Sequence, residues 1–123
     1  SNSWPNGIVG TTDGKKLYVN KWQDDNLGGT WVFDINADGT LSKMKKFIDM
    51  GGDGMSMDVN GSIYISNALG VTGFNSKGKK ILNIKTGNAT NNVFAGADEK
   101  TLFITAPDRV VSIKMNVKGI EKY

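Results

Sequence analysis

The chain repeats itself three times, in order, at a period of roughly 40 residues, and few folds accept that pattern. The first row runs Asn6-Gly7-Ile8-Val9, Asp13-Gly14, Leu17-Tyr18-Val19, Trp31-Val32-Phe33, Asp38-Gly39 and Lys45 to Ile48. The second runs Asp53-Gly54-Met55-Ser56, Asn60-Gly61, Ile63-Tyr64-Ile65, Val71 to Phe74, Lys77-Gly78 and Ile81 to Ile84. The third runs Asn91-Asn92-Val93-Phe94, Ala97-Asp98-Glu99, Leu102-Phe103-Ile104, Val110 to Ile113, Lys118-Gly119 and a shortened Ile120 to Tyr123. The apolar runs are short and rich in β-branched and aromatic residues, which suit a pleated, packed surface. Asp-Gly and Asn-Gly between them tolerate the positive φ of a hairpin turn. Four short strands per unit is the arithmetic of β-propeller blades. The expectation is one all-β domain, 1–123, of three four-stranded antiparallel blades over about 5–50, 51–88 and 89–123.

One segment is ambiguous. Leu41, Met44, Phe47 and Ile48 also carry helical spacing. A strand is preferred, because the segment follows a hairpin turn and the repeat requires one. Three blades cannot close a ring that usually needs four to eight. An open blade edge leaves backbone groups unpaired and invites association. The chain is therefore expected to be part of a longer one, or to assemble as a homodimer or with a missing N-terminal half.

Composition removes several chemistries. The 123 residues contain no Cys and no His. That excludes a thiol nucleophile, a thiolate zinc site, an imidazole base and a Ser-His-Asp triad. Catalysis must rest on carboxylates, amides, hydroxyls, lysines or a metal held by oxygen. The net charge of +3 is spread along the chain, as in a solvated rim, so no nucleic-acid partner is expected. No apolar run approaches the 18 or so residues of a membrane span, and no membrane partner is expected. The absence of Cys leaves the compartment open, with export to the periplasm or medium preferred over the cytoplasm.

In a propeller blade the innermost strand lines a central channel. Asn6, Asp53 and Asn91 each open the innermost strand of their row. Equivalent positions stand at equivalent heights around the axis, so two amides and one carboxylate converge at the channel mouth. Such oxygens suit a hard cation. The competing reading is that these dipeptides only start strands.

The ordered series also resembles a known family. Pro5-Asn6-Gly7-Ile8, Asp13-Gly14-Lys15-Lys16-Leu17-Tyr18-Val19, and Trp31-Val32-Phe33-Asp34 through Asp38-Gly39-Thr40-Leu41-Ser42 resemble the gluconolactonase-like family that includes regucalcin (senescence marker protein). So do Asp53-Gly54-Met55 with Asp58, and Thr90-Asn91 followed by Phe94 and Gly96. The likeness is to the C-terminal half of six-bladed propellers that hydrolyse sugar lactones or related esters with a divalent metal. It implies that Asn6 and Asp53 are metal ligands, that Asp53 also serves as catalytic acid/base, and that Asn91 is a third ligand. It implies a divalent cation, Ca²⁺ before Mg²⁺ or Zn²⁺, and a small sugar lactone as substrate. Gly52 stands where the family motif has Pro. The family's N-terminal metal-binding Glu, and a further Asn, have no counterpart here.

Asn20 to Thr30 reads as a long loop over the pocket. In it Trp22 is a candidate to stack on a sugar ring, with Asp24 or Asp25 accepting hydroxyl hydrogen bonds. Asn67 and Asp108 occupy comparable places in the other rows. A solvent loop with its Trp packed on the blade is the plainer alternative. Tyr18, Trp31, Phe33, Tyr64 and Phe103 are expected in the core between blades. Asp34 and Asp58 are expected in solvated turns. The functional alternative to a hydrolase is a non-catalytic propeller module that binds a carbohydrate or protein partner.

Overall fold

The computed structural model describes residues 3–23 and 28–120. The side chains of Ser3, Trp22 and Gln23 are not among them. Three antiparallel sheets follow one another along the chain. Sheet I holds β1 (Ser3–Gly10), β2 (Lys16–Gln23), β3 (Gly29–Ile35) and β4 (Leu41–Ile48) in sequence order. Sheet II holds β5 (Met55–Met57), β6 (Ile63–Asn67), β7 (Gly70–Phe74) and β8 (Lys80–Ile84), likewise in order. Sheet III holds β9 (Asn91–Ala95), β10 (Thr101–Ala106) and β11 (Arg109–Lys114). No helix occurs among the described residues. Leu41–Ile48 is a strand, as its place after a hairpin turn requires.

Each sheet is a propeller blade. The first strands, β1, β5 and β9, touch one another in succession and form the hub. Sheet II lies in the middle and has both faces covered, so Ile63-Tyr64-Ile65 is buried without a polar interruption. Ile63 and Ile65 point into one core with Met55, Met57, Phe74 and Ile48, against Val9, Tyr18 and Phe47 of sheet I. Tyr64 points the other way, into a second core with Val71, Ala89, Phe94, Leu102 and Ile104. Strand alternation thus sends successive residues of β6 to two different neighbours. Tyr64 and Phe94 meet edge to face at 5.3 Å, and Tyr18 and Phe47 at 5.1 Å. Rings prefer this contact because a positive edge meets a negative face.

Two expectations are corrected. Among the described residues the third blade has three strands, and the expected fourth, Ile120 to Tyr123, lies outside them beyond Ile120. Lys118 to Ile120 bond to the end of β5 and the residues after it: Val59 N–H donates to Lys118 O at 2.9 Å, and Ile120 N–H to Met57 O at 3.1 Å. Ile120 then packs on the core between sheets I and II. Asp58 is not in a solvated turn. It is 2% exposed, accepts the backbone N–H of Asn60 and Ser62, and takes the Tyr64 hydroxyl at 2.7 Å. The stretch Asn20 to Thr30 is mostly strand, because β2 continues to Gln23 and β3 begins at Gly29.

The expected core aromatics divide. Tyr64 is buried and Tyr18 half-buried against the first core. Trp31, Phe33 and Phe103 are only partly covered. Trp31 lies beneath the ammonium groups of Lys21 and Lys46, 5.3 and 5.7 Å from its ring centre. Cations are drawn to the ring face by its quadrupole.

Candidate functional site at the channel mouth

Asn6, Asp53 and Asn91 come together at the hub, but only Asn91 opens its strand as expected: Asn6 lies in the middle of β1, at a bulge, and Asp53 two residues before β5. Asn6 Nδ2 donates to Asp53 Oδ1 at 2.9 Å, across 47 residues of sequence. A pocket of about 290 Å³ lies beside this pair, lined by Asn6, Gly7, Ile8, Gly54, Met55, Thr90 and Asn91. Its walls come from β1, β5, β9 and the segments leading into the last two.

Asp53 is held from all three blades. Its side chain takes the Asn6 amide of sheet I. Its N–H donates to Ser66 O at the end of β6, at 2.9 Å. The next N–H, of Gly54, donates to Thr90 O at 3.0 Å, just before β9. Asn91 Oδ1 caps the N–H of its neighbour Asn92 at 2.9 Å.

Two glycines allow this convergence. A Cβ on Gly7 would stand 2.3 Å from Asp53 O, a separation that side chains do not adopt. A Cβ on Gly54 would fall on the Asn91 side chain. The absence of a side chain lets one backbone approach another here. Gly52 belongs to the same arrangement: a Cβ there would meet Ser66 O and Ile65 Cγ2. Gly52, where the family motif has Pro, therefore lies tight against β6.

Asn6 reaches Asp53 because β1 bulges. Pro5 pairs with Lys21 and Ile8 with Val19, so Asn6 and Gly7 together oppose the single residue Asn20. A bulge breaks the strict alternation of a strand and re-aims a side chain. Asn20 is fully buried; its Oδ1 accepts the Gly7 N–H at 2.6 Å, and its Nδ2 has no partner among the described residues. The sequence analysis missed Asn20. A polar residue directly after the apolar run Leu17-Tyr18-Val19, in the strand beside Asn6-Gly7, was the signal available.

Behind the site lies a buried polar cluster. The Ser56 hydroxyl donates to Asn92 Oδ1, and Asn92 Nδ2 donates to Tyr64 O at 3.1 Å and Ser66 Oγ at 2.8 Å. Burial is tolerable for such groups because they satisfy one another.

The candidate substrate residues fare differently. Trp22 lies within β2, opposite Trp4, rather than in a loop. Asp24 and Asp25 lie outside the described residues. Asn67 lines a separate pocket of about 150 Å³ with Met50, Thr72 and Asn83. Its amide is engaged there: Nδ2 donates to Thr72 Oγ1 at 3.0 Å, and Oδ1 accepts the Leu69 N–H at 2.9 Å. Asp108 stands in the β10–β11 turn, paired with Arg109 at 2.9 Å.

The donor set at the mouth is oxygen-rich and holds one charge. Among the described residues, no cluster of three or more His, Cys, Asp or Glu exists. Carboxylate and amide oxygens fit a hard divalent cation, which takes six to eight such ligands. Asn6, Asp53 and Asn91 would supply part of that shell.

Blades fanned about a hub, with an amide or a carboxylate brought to the same end of it from each, define a partial β-propeller with a polar mouth. Residues 2–107 match the SMP-30/Gluconolactonase/LRE-like region, and the chain belongs to that family. A solved structure described as a gluconolactonase is 27% identical and superposes with a TM-score of 0.81, over 96% of this chain and 41% of that one. A gluconolactonase from Xanthomonas campestris is 30% identical with a TM-score of 0.76, over 89% of this chain and 37% of that one. A calcium-binding protein, regucalcin, from Agrobacterium tumefaciens shares the fold at 20% identity and a TM-score of 0.74, over 97% and 48%. The chain thus spans less than half the length of each. No curated protein matches it.

Proposed function

We propose that this chain is the C-terminal half of a divalent-cation-dependent hydrolase of sugar lactones or related esters. The observation that carries the reading is the convergence of Asn6 and Asp53 at 2.9 Å beside the pocket, with Asn91 on its far wall. The gluconolactonase likeness at 27% and 30% identity supports the substrate class. The calcium-binding relative supports Ca²⁺ as the cation.

Asn6, Asp53 and Asn91 would hold the cation. A bound divalent ion supplies Lewis acidity, which polarises a lactone carbonyl and stabilises the oxyanion that follows. Asp53 contributes the charge of the site, and its bond to Asn6 fixes the carboxylate's direction. Turning the Asn6 amide over exchanges Nδ2 for Oδ1, so the same side chain serves as donor to Asp53 or as ligand. In this reading Asp53 would also take a proton from an attacking water. Backbone bonds to Ser66 and Thr90 hold it there.

One observation favours the second reading, a propeller module that binds a carbohydrate or protein without turnover. The donor set carries a single carboxylate, so the shell needs further donors from more chain or a second copy. Hydrolysis of glucono-1,5-lactone by the purified chain, with Ca²⁺ and with a chelator, separates the two. Turnover that requires the metal and is lost in Asp53→Asn supports the hydrolase. Saturable Ca²⁺ binding without turnover overturns it for this chain in favour of the module.

A further inference from the structure

We propose that Asn20 is the positioning residue of the Asn6–Asp53 pair, an inference that rests on the cation-site reading above. Three observations carry it. Asn20 is the single residue opposite the Asn6-Gly7 bulge. Its Oδ1 takes the Gly7 N–H at 2.6 Å, the bond that a bulge removes from the ladder and that burial makes costly to lose. Its Nδ2 is buried without a partner, 2.8 Å from the point where a Gly7 Cβ would stand; Asp53 O approaches that same point. The side chain therefore stands between the bulge that aims Asn6 and the main chain that carries Asp53.

A buried donor left free is unusual and costs stability. Buried Ser56, Ser66 and Asn92 all satisfy one another close by. At Asn20 the chain accepts that cost where sheet I meets the Asp53 loop. Asn20 makes no hydrogen bond to Asn6 or Asp53 side chains. It acts through Gly7, by fixing the backbone from which Asn6 projects.

The test uses Asn20→Leu and Asn20→Asp in the chain as it stands. Leu keeps the volume and removes both polar functions. Asp keeps the acceptor for Gly7 and removes the donor. The readout is the Asn6 side-chain amide resonance, which reports its bond to Asp53, followed by Ca²⁺ titration well below each variant's melting temperature. Asn20→Leu is expected to move the Asn6 resonance to the position of a solvent-exposed amide and to weaken Ca²⁺ binding by roughly 10–100-fold, as loss of an outer partner of a metal ligand does. Asn20→Asp is expected to keep the Asn6 resonance in place. A folded Asn20→Leu with the wild-type Asn6 resonance overturns the proposal. Should Leu prevent folding, hydrogen exchange in the wild type decides: a Gly7 amide protected more than its neighbours supports the proposal, and fast exchange overturns it. If the wild type binds no Ca²⁺ while Asn6 still responds to Asn20, the cation reading falls and the positioning role stands.

Discussion

Replacing Gly7 with Ala should separate sheets I and II at the hub. The added Cβ would stand 2.3 Å from Asp53 O, with the Asn20 amide at 2.8 and 3.0 Å. Ordinary contact begins near 3.4 Å, so the Asp53 main chain must retreat by about 1 Å. A carbonyl fixed in a backbone cannot rotate aside as a long side chain can. The same retreat stretches the Asn6–Asp53 bond from 2.9 Å beyond hydrogen-bond range. Overpacking of this kind costs about 1–3 kcal/mol. For a domain of this size that is a fall in Tm of roughly 4–12 °C. Calorimetry should find that fall, and Ca²⁺ binding should weaken with it. Displacement of a reacting group by an ångström is worth about 100-fold in rate, so any lactonase activity should suffer more than stability does. A Gly7→Ala protein with unchanged Tm and an unchanged Asn6 amide resonance would refute the reasoning, because the hub would then have slack.

Tyr64→Phe should lower stability by about 1.5–3 kcal/mol, since a buried charged acceptor loses its hydroxyl donor; urea unfolding measures it. Burial, and then the Asp58 carboxylate, hold the Tyr64 hydroxyl's pKa well above the ordinary tyrosine value of 10.0. The neutral form is favoured in the fold, so this contribution is whole below pH 10 and is lost as pH rises further. An unfolding series from pH 8 to 12 should show a shallower alkaline decline in the Phe variant. Asp34 is held below the usual carboxylate value by Lys16, which bonds it at 2.5 Å, and Asp98 chiefly by Lys114. Both favour the folded state above pH 4 and stop doing so as pH falls through their lowered values, so Asp34→Asn should flatten the acid limb of the same series. Asp53→Asn should abolish the charge of the donor set and weaken Ca²⁺ binding at least 10-fold, with Tm measured without metal changed by less than about 3 °C. A calorimetric titration with unchanged affinity would remove Asp53 from the site.

Much of this was legible because a propeller writes its blades into the chain as a repeat. The apolar runs became β2, β3, β6, β10 and β11, and Asn6, Asp53 and Asn91 lie together at the hub, though from unequal places along their strands. What stayed hidden depends on contacts between blades, which no local pattern reports. Asp58 looks like a turn residue and is one, but its second oxygen serves a tyrosine from the neighbouring strand. Asn20 looks like the start of a loop, and only the bulge across from it gives it a task. Lys118-Gly119 carry the spacing of a turn, and nothing local to them reports that they bond across to Val59 and, through Ile120, to Met57. Trp31 and Phe33 have the composition of core, and whether they are covered depends on what stands beside sheet I.

The two bare glycines at the hub have a consequence for how this mouth can change. At Gly7 a carbonyl of the neighbouring blade, and at Gly54 the Asn91 side chain, already stand where a Cβ would go, so these blades cannot draw closer. Adjustment to a smaller guest must therefore come from the side chains around the pocket and not from closing the gap between blades.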